Sequence, residues 1–430
     1  MHVIQVADAI ILMLFVICYA YQSAFIPIAM HRKPKLNYVS KLHRYAVLIA
    51  ARNEQSVIGQ LVDSIKAQTY PAELIHIFVV ADNCTDNTAA VAAAHGATVY
   101  CRHNRALVGK GYALNYMLKH IDKDFGLASF DAFMVFDADN LLDENYITQM
   151  NETFCQGHQI ITSYRNTKNY GDNWISAGYG LVFLRESQYL NRARFKLGSS
   201  CAVSGTGYMF SYDILKECGG WNFFLLTEDI QFTMHNIVAG HKIAYCENAV
   251  FYDEQPTSFA VSFRQRMRWS KGVLQVFRRY GLSMTKDMLK GDFSCYDMLM
   301  NNLPAYLLTI AGTVLNIATI FIDISAGYDM TEVIWPLLKG FLYGYITMWL
   351  AGAITTGTEW NRIVATRWRK ILYVFTFPLF MMTYVPIAMA ALVVKVNWTP
   401  ITHDKTMTMA QVHRQQASLL SVSQLQVPSK

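Results

Sequence analysis

Ala132-Phe133-Met134-Val135-Phe136-Asp137-Ala138-Asp139 is the stretch that decides the fold. An apolar run passes directly into two carboxylates spaced by one residue. Bounded by polar residues, a run this short reads as a strand buried on both faces. The pattern recurs upstream. Ala46–Ala50 is a short apolar strand, followed by helical spacing from Gln55 to Lys66; Ile75–Ala81 is a second strand and closes on Asp82-Asn83-Cys84-Thr85-Asp86. An Ala-rich helix is expected from Asn87 to His95, a third strand at Thr98–Tyr100 and a helix from Lys110 to His120. Strands alternating with helices predict an α/β domain over residues 45–255, its mainly parallel sheet covered on both faces. Ligands of such sheets bind beyond the carboxyl ends of the strands. Asp82 and Asp137 both sit at such ends.

The flanks are of a different character. Of the 430 residues 53% are hydrophobic and only 16% charged, which is lean for a soluble chain. Val3–Met30, Leu299–Ile322, Val333–Thr356 and Ile371–Val394 each exceed the ~20 residues that cross a bilayer core. The first lacks the basic start of a cleaved signal, and His31, Arg32, Lys33, Lys35, Lys41 and Arg44 follow it. Residues 1–30 are therefore expected to be an uncleaved anchor, with the middle of the chain cytoplasmic. Residues 256–282 read as an amphipathic interfacial helix, and 299–395 as C-terminal transmembrane or interfacial helices. Residues 396–430 end in a Gln/Ser-rich tail expected to be mobile. The net charge of +6 fits a membrane-adjacent surface; with no long Lys/Arg tract among stacking aromatics, nucleic acid is not a partner. Eight cysteines without a C-x-x-C pair read as free, mostly buried thiols.

Each candidate motif also has a purely structural reading. Asp137-Ala138-Asp139 can share a divalent metal with a diphosphate, or cap a helix. Asp82 can accept from a base N–H, or close an Asx-turn. The Ala51-Arg52-Asn53-Glu54 loop offers amides to a nucleotide edge, or an ordinary N-cap. Lys110, entering a helix behind Gly109, can approach phosphate, although the spacing is not that of a P-loop. Gly219-Gly220-Trp221-Asn222 offers a turn and an aromatic platform just before Thr227-Glu228-Asp229, a carboxylate pair placed for general-base work or for stabilising a helix start. In Ser258–Tyr280, aromatic and apolar residues interleave with Arg264, Arg266, Arg268, Lys271, Arg278 and Arg279, the composition of a helix lying in a membrane interface. In the sharper reading, Gln265 and Arg268 meet a diphosphate and Trp269 stacks under an acceptor.

In this order, Asp82, Asp137-Ala138-Asp139, Thr227-Glu228-Asp229 and Gln265-Arg266-Met267-Arg268-Trp269 resemble the motifs of family 2 membrane glycosyltransferases of the processive type. That group includes cellulose, hyaluronan and poly-N-acetylglucosamine synthases. The resemblance covers about Tyr45–Tyr280 and the membrane layout. It implies a Rossmann-like GT-A fold with transmembrane and interfacial helices, a UDP-sugar donor, and Mg²⁺ or Mn²⁺. It assigns uridine contact to Asp82 and the Ala50–Glu54 loop, including Ala50, Asn53 and Glu54. Metal goes to Asp139, with Asp137 near the donor. The base is Asp229, beside Glu228; Gln265, Arg268 and Trp269 take diphosphate and acceptor, and Ser204-Gly205-Thr206-Gly207 lines the acceptor site. More loosely, Trp398-Thr399-Pro400-Ile401-Thr402-His403 resembles a gating loop over UDP, with His403 where lysine is usual. Three full spans after a cytoplasmic domain would put this run outside, so Pro378 and Pro386 are read as breaking the last segment and returning the tail to the cytoplasm.

The expected enzyme is multi-pass in the cell membrane with its catalytic domain cytoplasmic. It inverts at the anomeric carbon, adding a hexose or N-acetylhexosamine to a β-linked polysaccharide. A single addition to a lipid or lipid-linked acceptor is the alternative. A transporter is disfavoured by the scarcity of charged residues within the spans, Asp8 and Lys339 alone. A second copy or an export partner is left open.

Overall fold

The computed structural model describes residues 2–31, 39–327, 330–396, 398–401 and 403–424. Arg32, Lys33 and Lys35, Thr402, and the last six residues lie outside the described residues.

The sheet has eight strands: β1 (Tyr45–Ala51), β2 (Ile75–Asp82), β3 (Thr98–Arg102), β4 (Ala132–Asp137), β5 (Leu141–Leu142), β6 (Ile160–Thr167), β7 (Tyr208–Ser211) and β8 (Ile243–Asp253). Their order is β3-β2-β1-β4-β7-β6-β8-β5. The first four are parallel, as the alternation with helices predicts, and so is β6 with β8. β7 runs against β4 and β6, and β5 against β8. In β1 the period of two sends Ala46 and Leu48 into one core, with Phe78, Phe133 and Leu114, and Val47 and Ile49 into the other, with Val79, Met134 and Leu61. Both faces are buried, so these strands read as continuous apolar runs.

The parallel register brings Ala51 level with Ala81, and Ala50 level with Asp137. Asp82 and Asp137 therefore emerge at the same edge. The expected helices are present, with shifted ends: Ile58–Lys66 starts late because Val57 and Ile58 first turn back onto the Glu54 carbonyl, and Lys110–Phe125 continues past His120.

Two stretches among the described residues are long and apolar enough to cross a membrane, Ala9–Met30 and Arg367–Val393. The expected 299–322 span lies in the Phe293–Ser325 helix, which carries a shorter apolar stretch at Ile310–Ile322; the expected 333–356 span lies in Met330–Thr358. The last apolar segment is broken, as its prolines suggest, into Arg367–Met382 and Tyr384–Val393. Pro386 has no N–H to give the Met382 carbonyl. Residues 398–401 and 403–408 then return to the sheet domain, and Met409–Gln424 forms a helix where a mobile tail is expected. Met407, Met409 and Val412 bury against Leu141 and Tyr252. That apolar stripe is what orders it.

The Phe259–Leu289 helix is longer than the expected 256–282 and is not simply a surface amphipath. Arg266 is 0% exposed. Its Nη1 donates to the Phe380 carbonyl at 3.2 Å and to Thr383 Oγ1 at 2.7 Å, at the break in the last apolar segment. The guanidinium lies 4.3 Å from the Phe380 ring centre and 4.8 Å from that of Tyr384, a cation–π arrangement favoured where water is excluded. None of the eight cysteines forms a disulfide; Cys201, Cys246 and Cys295 are buried and Cys101 is exposed.

Candidate active site

One cavity of 840 Å³ gathers nearly every residue singled out by sequence: Ala50, Glu54, Asp82, Lys110, Asp137, Asp139, Glu228, Asp229, Gln265, Arg268 and Trp269 line it. Asn53 does not. It adopts a φ of 59°, and its Oδ1 accepts from the Thr85 N–H at 2.8 Å, so it ties the β1 loop to the β2 loop. Asn tolerates that left-handed conformation, which is the physical reason for its presence.

Asp82 is buried, and Arg102 Nη1 donates to its Oδ1 at 2.5 Å. Lys110, the first residue of its helix, donates through Nζ to Asp137 Oδ1 at 2.5 Å and to the Gly205 carbonyl at 2.7 Å. Burial works against the Lys110 ammonium, but Asp137 and Glu228 outweigh it and raise its pKa. Asp139 is buried more deeply than Asp137 and accepts the Glu254 N–H at 2.7 Å. Burial would raise its pKa; His403, Lys168 and that N–H together hold it below the usual carboxylate range.

The second carboxylate pair sits in the first turn of Glu228–Val238. Burial, then the charge of Asp229, pushes Glu228 up to about 7. Asp229 is also raised, by burial. Gly205, at φ +82°, passes close by, and a Cβ there would lie 3.7 Å from Asp229 Oδ2. Ser204 and Gly205 line the cavity; Thr206 instead bonds Asn140 and the Asp137 N–H, and Gly207 packs on Phe251. Trp221 is not a platform in the site. It is 1% exposed and stacks on Phe232 in the core, ring centres 5.4 Å apart.

Gly272 lets the Phe259–Leu289 helix close on this pair, since a Cβ there would meet Thr227 at 2.5 Å. The approach carries Gln265, Arg268 and Trp269 to the cavity. Trp269 is held edge-on by Tyr179, ring centres 5.7 Å apart. Gln265 Oε1 is buried with no hydrogen-bond partner, and Arg268 forms no salt bridge among the described residues. Polar groups left open in a cavity mark where a polar ligand binds.

The run from Trp398 packs against the loop that follows β1. Arg52 lies 5.1 Å from the Trp398 ring centre, and His403 Nδ1 is 2.9 Å from Glu54 Oε1. Burial works to lower the His403 pKa, but Asp139, Glu54 and Glu254 outweigh it and push it up to about 10. Glu54, raised to about 7 mainly by burial, is drawn back by that same imidazole. Glu254 also accepts the Lys405 N–H at 3.0 Å. Sequence reading missed Glu254 and Arg165; Asp253 and Glu254 end an apolar strand, the same signal that found Asp82 and Asp137.

Among the described residues no three His, Cys, Asp or Glu side chains converge as a ready metal cage. Mg²⁺ and Mn²⁺ sites completed by substrate phosphates need only one or two carboxylates, and the ionised, buried Asp139 beside Asp137 fits that requirement.

A family profile described as "Glycosyltransferase like family 2" matches residues 43–272. Among curated proteins, a probable glycosyltransferase YdaM of Bacillus subtilis is 23% identical over 71% of this chain and 73% of its own length. A beta-monoglucosyldiacylglycerol synthase of Nostoc is 26% identical over 62% of this chain and 56% of its own. A poly-beta-1,6-N-acetyl-D-glucosamine synthase of Staphylococcus aureus is 25% identical over 62% and 63%. The alignments with these last two thus span less than two thirds of their lengths. A mannosyltransferase of Pyrobaculum calidifontis, solved with GDP-mannose and Mn²⁺, superposes with a TM-score of 0.58 at 14% identity, over 90% of this chain and 99% of that one. That likeness concerns the fold.

Proposed function

This chain belongs to the family 2-like glycosyltransferases, and from that premise we propose that it is an inverting transferase working from a UDP-sugar. The observation that carries the proposal is the meeting, in one cavity, of an ionised carboxylate at a strand end with a raised carboxylate pair at a helix start. The Ala50–Glu54 loop and Asp82 hold the nucleoside. Asp139, with Asp137, would hold a divalent cation, which would neutralise diphosphate charge when bound. Arg268 and Gln265, both left open by the protein, bond the diphosphate oxygens and stabilise charge developing there. Asp229 takes the proton of the acceptor hydroxyl as that oxygen attacks the anomeric carbon. Trp269 forms the floor under the acceptor.

Apolar helices around the sheet domain support a membrane enzyme whose catalytic domain and Trp398–His403 run lie on one side. The relatives' names include both a polymer synthase and a lipid glycosyltransferase, so both acceptor classes enter the test. The experiment is a donor screen with Mg²⁺ or Mn²⁺, reading nucleotide release and product mass together. UDP release from one hexose or N-acetylhexosamine donor is expected; no release from any UDP-sugar would sink the proposal.

A further inference from the structure

Not all of the cavity is polar: one part of its lining forms an apolar chamber, or sleeve. Phe15, Met298, Met348, Met382, Val385 and Ala388 line it, contributed by five separate helices. Methionines recur there, and their flexible thioethers conform to irregular apolar shapes. Outside the chamber the same helices stay apolar: Phe341, Leu342, Phe375 and Leu379 are exposed. Where this sleeve meets the polar half, the long helix from Trp174 loosens into a π-helical segment, Glu186–Asn191. Such segments are rare and concentrate at functional sites. Arg185, Glu186 and Leu190 line the cavity at that point. Arg185 Nη2 donates to Gln22 Oε1 at 3.0 Å.

A sugar chain carries several hydroxyls per ring, and burying them without partners is costly. Among the described sleeve residues, Asn301 and Tyr384 are the main polar side chains, few for a threaded glycan. A hydrocarbon chain needs none and gains from burial.

Resting on the proposed transferase reading, we infer that the acceptor is a lipid alcohol, its hydrocarbon chain in this sleeve and its hydroxyl presented to Asp229. In the step, the bond between the donor's anomeric carbon and the phosphate oxygen breaks. A bond from that carbon to the lipid oxygen forms, the hydroxyl proton passes to Asp229, and UDP leaves. The π-helical segment sets Arg185 at the mouth, where it bonds oxygen of the head group.

The test uses the whole protein in mixed micelles with the donor that releases UDP. Glycerol esters with acyl chains of two, eight and sixteen carbons are compared with a long isoprenoid alcohol and a tetrasaccharide. kcat/KM is expected to rise at least tenfold from the shortest ester to the longest, with one sugar added per lipid. A preference for the isoprenoid alcohol keeps the inference and identifies the other lipid source. Met348→Trp and Val385→Trp, which fill the sleeve, should remove the chain-length dependence, with UDP affinity by calorimetry as the folding control. Equal rates at all chain lengths, or a ladder of products on the tetrasaccharide, overturns the inference while leaving the transferase reading intact. Absence of UDP release with every acceptor defeats the transferase reading instead.

Discussion

Asp137 and Asp139 on one side of the cavity, and Glu228 and Asp229 on the other, are pairs of the same functional group in opposite surroundings. The first pair is matched by cations: Lys110 on Asp137, and His403, Lys168 and Arg165 acting on Asp139. The second is raised chiefly by burial, and Lys110 and Arg268 only partly offset it. Carboxylates whose environments push their pKa values apart divide the labour of a site. In the proposed reaction the lowered Asp139 would serve the metal, and the raised Glu228–Asp229 pair would exchange the proton.

The contrast is broken most directly at Asp229. Asp229→Asn should lower transfer by about 10³-fold, within the usual worth of a general base, while UDP affinity stays within about twofold; near-normal turnover would remove Asp229 from the role. Asp139→Asn should cost about 10²-fold and raise the metal concentration for half-maximal rate, consistent with loss of a charged ligand. Unchanged rates after chelation would dissolve the metal half of the comparison. Gly272→Ala tests whether the two halves must close on each other. The forced contact with Thr227 should destabilise by about 1–3 kcal/mol and lower kcat more than donor affinity; a melting curve beside the kinetics reads both. The smallest effect concerns pH. Asp229 is raised by burial, and protonation removes it as a base, so kcat/KM should fall toward acid pH at a pH above the usual carboxylate range, in the region where the adjoining Glu228, at about 7, also titrates. Glu228→Gln removes the group that titrates at about 7 beside the base and should move that limb to lower pH. An unmoved limb would assign it to another group.

Strand ends were the most legible part of the chain. An apolar run closing on a carboxylate located Asp82 and Asp137, and the matching run into Asp253-Glu254 obeys the same rule although it was passed over. Aromatic and charged side chains on helices and turns were harder. Trp221 reads as a platform and proves to be core, because stacking on Phe232 is decided by β7 and the Glu228–Val238 helix, neither adjacent to it in the chain. Asn53 has the composition of a binding loop and serves a turn. His403 and Glu54 are 349 residues apart, a separation that no local pattern spans. The balance of acceptors was illegible for a further reason: a sleeve exists only when separate helices meet, and each contributes one or two unremarkable methionines or valines.

Arg266 has a consequence for how this region is mutated. It stands between Gln265 and Arg268, which face the cavity, yet its own charge is sealed between Phe380 and Tyr384. Alanine there removes the Arg266 bonds to the Phe380 carbonyl and Thr383 Oγ1, leaving only the bond between those two, and opens a void. An alanine scan scored by activity alone would rank Arg266 beside Arg268 as chemistry. Scored also by yield and unfolding temperature, the two separate: one loss travels with the folded population, the other does not.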